Sequence, residues 1–210
     1  LDLEGKTVLT SEVIPTEEQV KNACEKLVGE IMQVPPIFSA KCVNGKRSYE
    51  LARKGVAVEL PPKKVVISDI EVIGKTAENE YKIKIVCGGG TYIRSVARDL
   101  GYECGSCATM TSLVRTASGV FKIENSIKAE DFINAGKKQS LLIPADNAVD
   151  FPVIVLNEEQ TKRLFNGLYD EYDYSDGVYR VYSPKGFYGV GEVKNGKIKV
   201  KAYVGDYENL

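Results

Sequence analysis

Arg94 and Arg98 stand four residues apart, directly downstream of the run Gly88-Gly89-Gly90-Thr91-Tyr92. A β-rich stretch, a glycine turn and an amphipathic helix follow one another here, with Thr91 as the expected N-cap. That order presents Tyr92 and Arg94 at the first turn of the helix. An aromatic ring and a guanidinium in such a place suit a flat base together with a carboxylate or phosphate. On spacing alone, a packing ring and a surface cation remain the commoner reading of the same two residues. The glycine run has neither GxGxxG spacing nor the Lys-Ser/Thr end of a phosphate-binding loop, which argues against nucleotide binding by that route. The chain contains no histidine. This excludes Ser-His-Asp and Cys-His nucleophilic sites, histidine general bases and imidazole-dependent zinc sites within these residues.

A second chemical signal is local charge. Between Lys41 and Lys64 the basic residues Lys41, Lys46, Arg47, Arg53, Lys54, Lys63 and Lys64 face only Glu50 and Glu59, on a chain whose net charge is −1. The stretch is an anion-binding candidate, and a solvated basic loop is the plain alternative. Five cysteines at irregular spacing, Cys24, Cys42, Cys87, Cys104 and Cys107, fit reduced thiols better than a disulfide framework. Cys104-Gly-Ser-Cys107 has the spacing of a redox or zinc half-site, but no second pair exists to complete a metal site.

Several elements are needed to position these groups. Thr16 and Gln19 form a capping box before an amphipathic helix, expected to run through Val20, Ala23, Cys24, Leu27, Val28 and Ile31 and to end before Pro35-Pro36. Asn44-Gly45 is a turn, Tyr49 to Lys54 a short helix, and Pro61-Pro62 a stop. Val65 to Ile73 and Tyr81 to Cys87 read as neighbouring strands, then the glycine turn and a helix with Ile93, Val96, Ala97 and Leu100 on one face. Met110 to Arg115 and Gly119 to Ile123 read as strands and Ile127 to Asn134 as a helix. Character changes at Asp150-Phe151-Pro152. Beyond it come a β run at Val153 to Leu156, a capped helix from Asn157 to Phe165 and three strands, Val178 to Ser183, Phe187 to Val193 and Lys197 to Val204. With 210 residues, 43% hydrophobic and 27% charged, the chain can build a real core. No apolar run approaches the roughly 20 residues of a membrane span, so a cytoplasmic location is expected.

Gly90-Thr91-Tyr92-Ile93-Arg94-Ser95 followed by Asp99-Leu100-Gly101 resembles a motif of the TruB family, the tRNA pseudouridine-55 synthases. Gln33-Val34-Pro35-Pro36-Ile37-Phe38-Ser39-Ala40 and the segment from Asn44 to Gly55 are similar to that family's Q-x-P-P-x-Y-S-A and G-x-R-x-Y-x-x-A-R-x-G signatures. Leu113-Val114-Arg115-Thr116-Ala117-Ser118-Gly119-Val120-Phe121 resembles its L-x-R-T-x-S-G-x-F strand. The matches keep the family's order over essentially the whole chain.

The resemblance implies an α+β fold. A partial catalytic domain around a mixed sheet is expected over residues 1–149, with a basic thumb insertion over about 37–64, and a small PUA-like RNA-binding β domain over residues 150–210. It implies isomerisation of a T-loop uridine of tRNA to pseudouridine, with no metal or organic cofactor and an aspartate as nucleophile. Arg94 would hold that aspartate, Tyr92 would pack in the base pocket and Leu113 would line the uracil site. Lys41, Lys46, Arg47, Tyr49 and Arg53 would meet the T-stem loop.

Two departures are visible. Cys42 stands where the family has a lysine, with Lys41 one place earlier. The family's Gly-x-Leu-Asp-Pro context for the nucleophile is absent; Asp2 aligns with an acidic turn beyond it. The expectation is therefore a carboxy-terminal portion, inactive alone, whose nucleophilic aspartate lies upstream of Leu1 and whose partners include that N-terminal segment. A non-catalytic RNA-binding module using thumb and PUA-like surfaces is the alternative, and a thiol-redox protein rests only on Cys104 and Cys107.

Overall fold

Thr16 Oγ1 accepts from the Gln19 N–H at 3.3 Å while Gln19 Oε1 accepts from the Thr16 N–H at 2.8 Å. This reciprocal cap opens helix α1 (Glu17–Lys26), as its sequence predicts. The helix does not continue to Pro35. Gly29 adopts φ +106, open to glycine and strained for other residues. Strand β1 (Gly29–Gln33) follows. Ile31, which fits the helical period, fits an alternating strand equally well, and a pairing partner distant in sequence decides between them.

The computed structural model describes residues 1–43, 45–168 and 172–204. They form two units, Leu1–Leu113 and Val114–Leu210. In the first, β1 leads to a minimal hairpin of β2 (Cys42–Val43) and β3 (Lys46–Arg47), then helix α2 (Ser48–Arg53). The turn expected at Asn44-Gly45 falls partly on Asn44, which lies outside the described residues. Strands β4 (Lys63–Ala77) and β5 (Glu80–Cys87) precede helix α3 (Ile93–Glu103). The sheet order is β1-β4-β5, antiparallel throughout, with Gly29 opposite Ile67 and Gln33 opposite Lys63.

A register shift between Ile67 and Asp69 explains the inward residues of β4. Ile67 and Ile70 are three apart, which a regular strand would send to opposite faces; the bulge returns both to one face. There Ile67 meets Val20, Ala23 and Cys24 of α1, its C-cap Leu27, and Val96 and Leu100 of α3, with Ile31, Ile83 and Ile85 packed alongside. Both helices thus bury their apolar stripes through one core.

In the second unit β6 (Ala117–Ser118) and β7 (Phe121–Lys122) make a short hairpin and α4 (Ala129–Asn134) follows. The strand expected at Gly119 to Ile123 is shorter because Gly119 takes φ +57 in the turn and Ile123–Asn125 forms a 3-10 turn. The strand expected over Met110 to Arg115 is also not formed. Met110 makes one isolated bridge to Asp2, and without a further ladder the segment stays irregular. Strand β8 (Val153–Val155), α5 (Glu158–Phe165), β9 (Gly177–Ser183), β10 (Gly186–Lys194) and β11 (Lys197–Tyr203) complete the unit. The order is β11-β10-β9-β8, with β8 parallel to β9 and the other pairs antiparallel. Asn195 and Gly196, at φ 51 and 71, supply the two left-handed residues of a tight hairpin turn. Ile154, Leu164, Val181, Val193 and Ile198 form its core.

Burial pushes the Cys24 thiol up to about 11, so at pH 8 only ~1 thiol in 1,000 is ionised in the folded state. Cys42 is exposed. Iodoacetamide at pH 8 is expected to label Cys42 of the folded protein and to reach Cys24 only after urea unfolding. Peptide mass mapping that found Cys24 labelled as fast as Cys42 under native conditions would contradict this core.

Candidate functional site

The first turn of α3 is built from the end of β1. Gln33 is buried at 1% exposure, and its side-chain amide brackets the backbone of Tyr92. Its Nε2 donates to Tyr92 O at 3.2 Å, and the Tyr92 N–H donates to Oε1 at 2.8 Å. Tyr92, not Thr91, occupies the N-cap position, and no side chain caps the helix. The Thr91 hydroxyl instead donates back to Gly88 O at 2.9 Å, closing the glycine turn. The Val34 carbonyl takes two further bonds from the same helix, from Ser95 Oγ at 2.9 Å and from the Arg98 guanidinium at 3.0 Å.

Arg94 follows with its guanidinium divided between two acceptors. One amino group donates to Asp2 Oδ2 at 3.2 Å and the other to Phe38 O at 3.0 Å. The two side chains of this ion pair are 28% and 32% exposed. The arrangement holds a carboxylate and a main-chain oxygen against one planar cation, a geometry that orients acceptors as well as neutralising them. Arg98 differs: its Nε bonds Asp99 Oδ1 at 2.8 Å. Burial raises the Asp99 carboxyl above its ordinary range, with Arg98 pulling the other way. This second arginine is a fastening, tied to Asp99 and Val34.

The basic stretch is attached to Arg94 through residues 37–41. Phe38 supplies the carbonyl on Arg94, Ser39 O accepts from the Tyr49 N–H at 3.1 Å, and Lys41 O accepts from the Ser48 N–H at 2.8 Å. Ser48 Oγ also donates to Ile37 O. Lys46, Arg47 and Arg53 are exposed, and the Arg53 guanidinium lies 5.6 Å from the centroid of the Tyr49 ring. That contact presents Arg53 while covering an aromatic face. Lys41 Nζ donates to Pro61 O at 3.4 Å. Lys63 reaches the glycine turn: a Cβ added at Gly90 would lie 2.5 Å from its Nζ.

Tyr92 and Arg94 therefore share the first turn of α3, and Lys41, Lys46, Arg47, Tyr49 and Arg53 lie on the attached excursion. Leu113 is 56% exposed, in an irregular segment. Sequence reasoning passed over Asp2 as a partner of Arg94 and over the work of Gln33. The only signal for Gln33 was its place before Val34-Pro35-Pro36. Among the described residues no group of three or more His, Cys, Asp or Glu is placed to hold a metal ion. No helix among them is long and apolar enough to cross a membrane.

Comparison with known proteins follows the same outline. Residues 1–93 match the family described as TruB family pseudouridylate synthase (N terminal domain). The chain is 40% identical over 171 residues to tRNA pseudouridine synthase B of Caulobacter vibrioides, covering 80% of this chain and 55% of that protein. It is 36% identical over 205 residues to the synthase of the same name from Caldanaerobacter subterraneus, covering 96% and 71%. With that of Clostridium tetani the identity is 40% over 200 residues, covering 91% and 68%. Among solved structures, a Cbf5-Nop10-Gar1 complex matches with TM-score 0.68 at 20% identity, covering 93% of this chain and 63% of that one. An H/ACA RNP bound to a substrate RNA containing 2'-deoxyuridine matches with TM-score 0.68 at 16% identity, covering 94% and 64%. These likenesses show the fold, an α+β pseudouridine synthase architecture with a small PUA-like β domain.

The Arg94–Asp2 pair, partly open to solvent, should orient more than it stabilises. A double-mutant cycle of Asp2→Ala and Arg94→Ala, read by urea unfolding, is expected to give a coupling of about 1 kcal/mol or less that shrinks in high salt. A salt-insensitive coupling above about 3 kcal/mol would mean a structural ion pair instead.

Proposed function

The chain belongs to the TruB family of pseudouridylate synthases, and from that premise we propose that it serves the isomerisation of a T-loop uridine of tRNA to pseudouridine. The observation that carries this reading is Arg94, held at the first turn of α3 with its fork on a carboxylate and a loop carbonyl. We assign residues 1–149 to the catalytic part, with the thumb over about 37–64, and residues 150–210 to the PUA-like RNA-binding part. The nucleophile is assigned to an aspartate in the Gly-x-Leu-Asp-Pro context outside these residues, since no aspartate here precedes a proline. Asp2 then acts as the second carboxylate on the Arg94 fork.

The reaction needs no net change in composition. The C1′–N1 bond breaks, the freed uracil turns, C1′ bonds to C5, the proton on C5 leaves and N1 gains one. Such chemistry requires the uridine outside its stack, at a cost of a few kcal/mol. Tyr92 offers the ring for the extruded base, with Leu113 as a further wall of the uracil pocket. Arg94 fixes the nucleophilic carboxylate relative to C1′. Lys46, Arg47 and Arg53, exposed beside Tyr49, meet backbone phosphates of the T-stem loop, with Lys41 at their base.

In the full-length polypeptide, Arg94→Ala is expected to leave tRNA affinity within a few-fold and to slow the single-turnover chemical step by roughly 10²-fold or more. Arg94→Lys should rescue only part, because an ammonium cannot reproduce the two-pronged contact. Asp2→Asn should slow turnover yet leave it measurable; complete loss would make Asp2 the nucleophile. A normal chemical step with weak binding in Arg94→Ala would make Arg94 a phosphate contact. RNA binding without turnover by the wild type would favour a binding module.

Replacing Lys46, Arg47 and Arg53 together by alanine should weaken tRNA binding and flatten its dependence on log salt by about 0.7–0.9 per lost phosphate contact. An unchanged slope would show these cations to be merely solvated.

A further inference from the structure

The amide of Gln33 makes two hydrogen bonds to Tyr92, two residues before Arg94, and is itself buried away from solvent. It is 1% exposed, it ends β1 opposite Lys63, and it is followed by Val34-Pro35-Pro36. The ladder fixes its Cα, and the prolines, with fixed φ and no N–H, fix the exit of the chain. From this rigid point the side chain accepts from the Tyr92 N–H and adds a donor to Tyr92 O, which also accepts from the Ser95 and Val96 N–H groups. Helix α3 has no side-chain cap, and the nearest hydroxyl, on Thr91, is turned to Gly88. Tyr92 is thus held by Gln33, and Arg94 lies two residues on.

We propose that Gln33 is a positioning residue for the isomerisation: its amide sets the backbone of Tyr92, and through it the placement of the Tyr92 ring and the Arg94 fork. The inference rests on the function proposed above. A side chain that only packed the core could be replaced by an apolar one of the same length. Gln33 uses both its donor and its acceptor, and neither a hydrocarbon nor a carboxylate can supply both. A misplacement of about 1 Å at a reacting group costs on the order of 10²-fold in rate, so loss of the bracket should be read in kcat before it is read in RNA binding.

The test uses the full-length polypeptide with a T-stem loop RNA. Gln33→Met keeps length and apolar volume while removing both bonds. It is expected to speed hydrogen exchange at the Tyr92 amide at least tenfold and to lower kcat at least tenfold, with KM within about threefold. Gln33→Glu keeps an acceptor oxygen and loses the amide donor; it is expected to lower kcat as well, and it decides the matter should Gln33→Met not fold. Thr16→Ala, which destabilises the fold by removing the α1 cap, should leave kcat unchanged. A folded Gln33 variant with wild-type kcat, a rise in KM without a fall in kcat, or, in Gln33→Met, which removes the acceptor of the Tyr92 N–H, unaltered exchange at that amide would overturn the proposal. So would an equal loss of kcat in Thr16→Ala, which would reduce the effect to general stability. An inactive wild type would refute the proposed function, while the exchange arm would still decide whether Gln33 holds Tyr92.

Discussion

The junction between the end of β1 and the start of α3 is the constraint from which the rest of the first unit follows. Four hydrogen bonds cross it, two on the Gln33 amide and two on the Val34 carbonyl. Left without such partners, the buried Gln33 amide would cost about 1–3 kcal/mol, which favours this arrangement of the junction. With it made, Val96 and Leu100 meet Ile67 in the core, and the polar side of the helix is aimed at residues 34–38. The same bonds that satisfy the helix start decide where Arg94 points.

Charge is divided between two tasks in this structure. Arg94 and Arg98 are drawn into the fold by acceptors on the protein itself, Asp2, Phe38 O, Asp99 and Val34 O. Lys46, Arg47 and Arg53 stay exposed, on a local excess of positive charge within a chain of net charge −1. Fixed cations suit the orientation of a reacting carboxylate, and exposed ones suit a polyanion that must arrive and leave. The hydrogen bonds that the carbonyls of Phe38, Ser39 and Lys41 accept from Arg94 and α2 join the two groups through a short stretch of main chain.

Much of this was legible in the sequence wherever the cause was local. The Thr16 capping box, the strand over Tyr81 to Cys87, the helix after the glycine run and the last two strands depend on neighbours a few residues away, and the structure has them. Strand β1 was misread as helix because Ile31 satisfies both periods and its partner on β4 lies more than thirty residues downstream. Thr91 was read as a cap because threonine is a good one; only the folded chain reveals that Gly88 takes its hydroxyl. Asp2 was matched to Arg94 by no sequence pattern, since their bond spans 92 positions. The place of Arg94 at the start of the helix was readable; its contacts with Asp2 and Phe38 were not.

The central claim is that Arg94 orients a carboxylate for isomerisation of a T-loop uridine. Its most direct test is tritium release from a T-stem loop RNA labelled at C5 of its uridines, followed with excess full-length polypeptide. The account requires release from a single T-loop uridine, one tritium per RNA, with pseudouridine recovered at that position. Tight binding of the RNA with no tritium released, or release spread over several uridines, would contradict it.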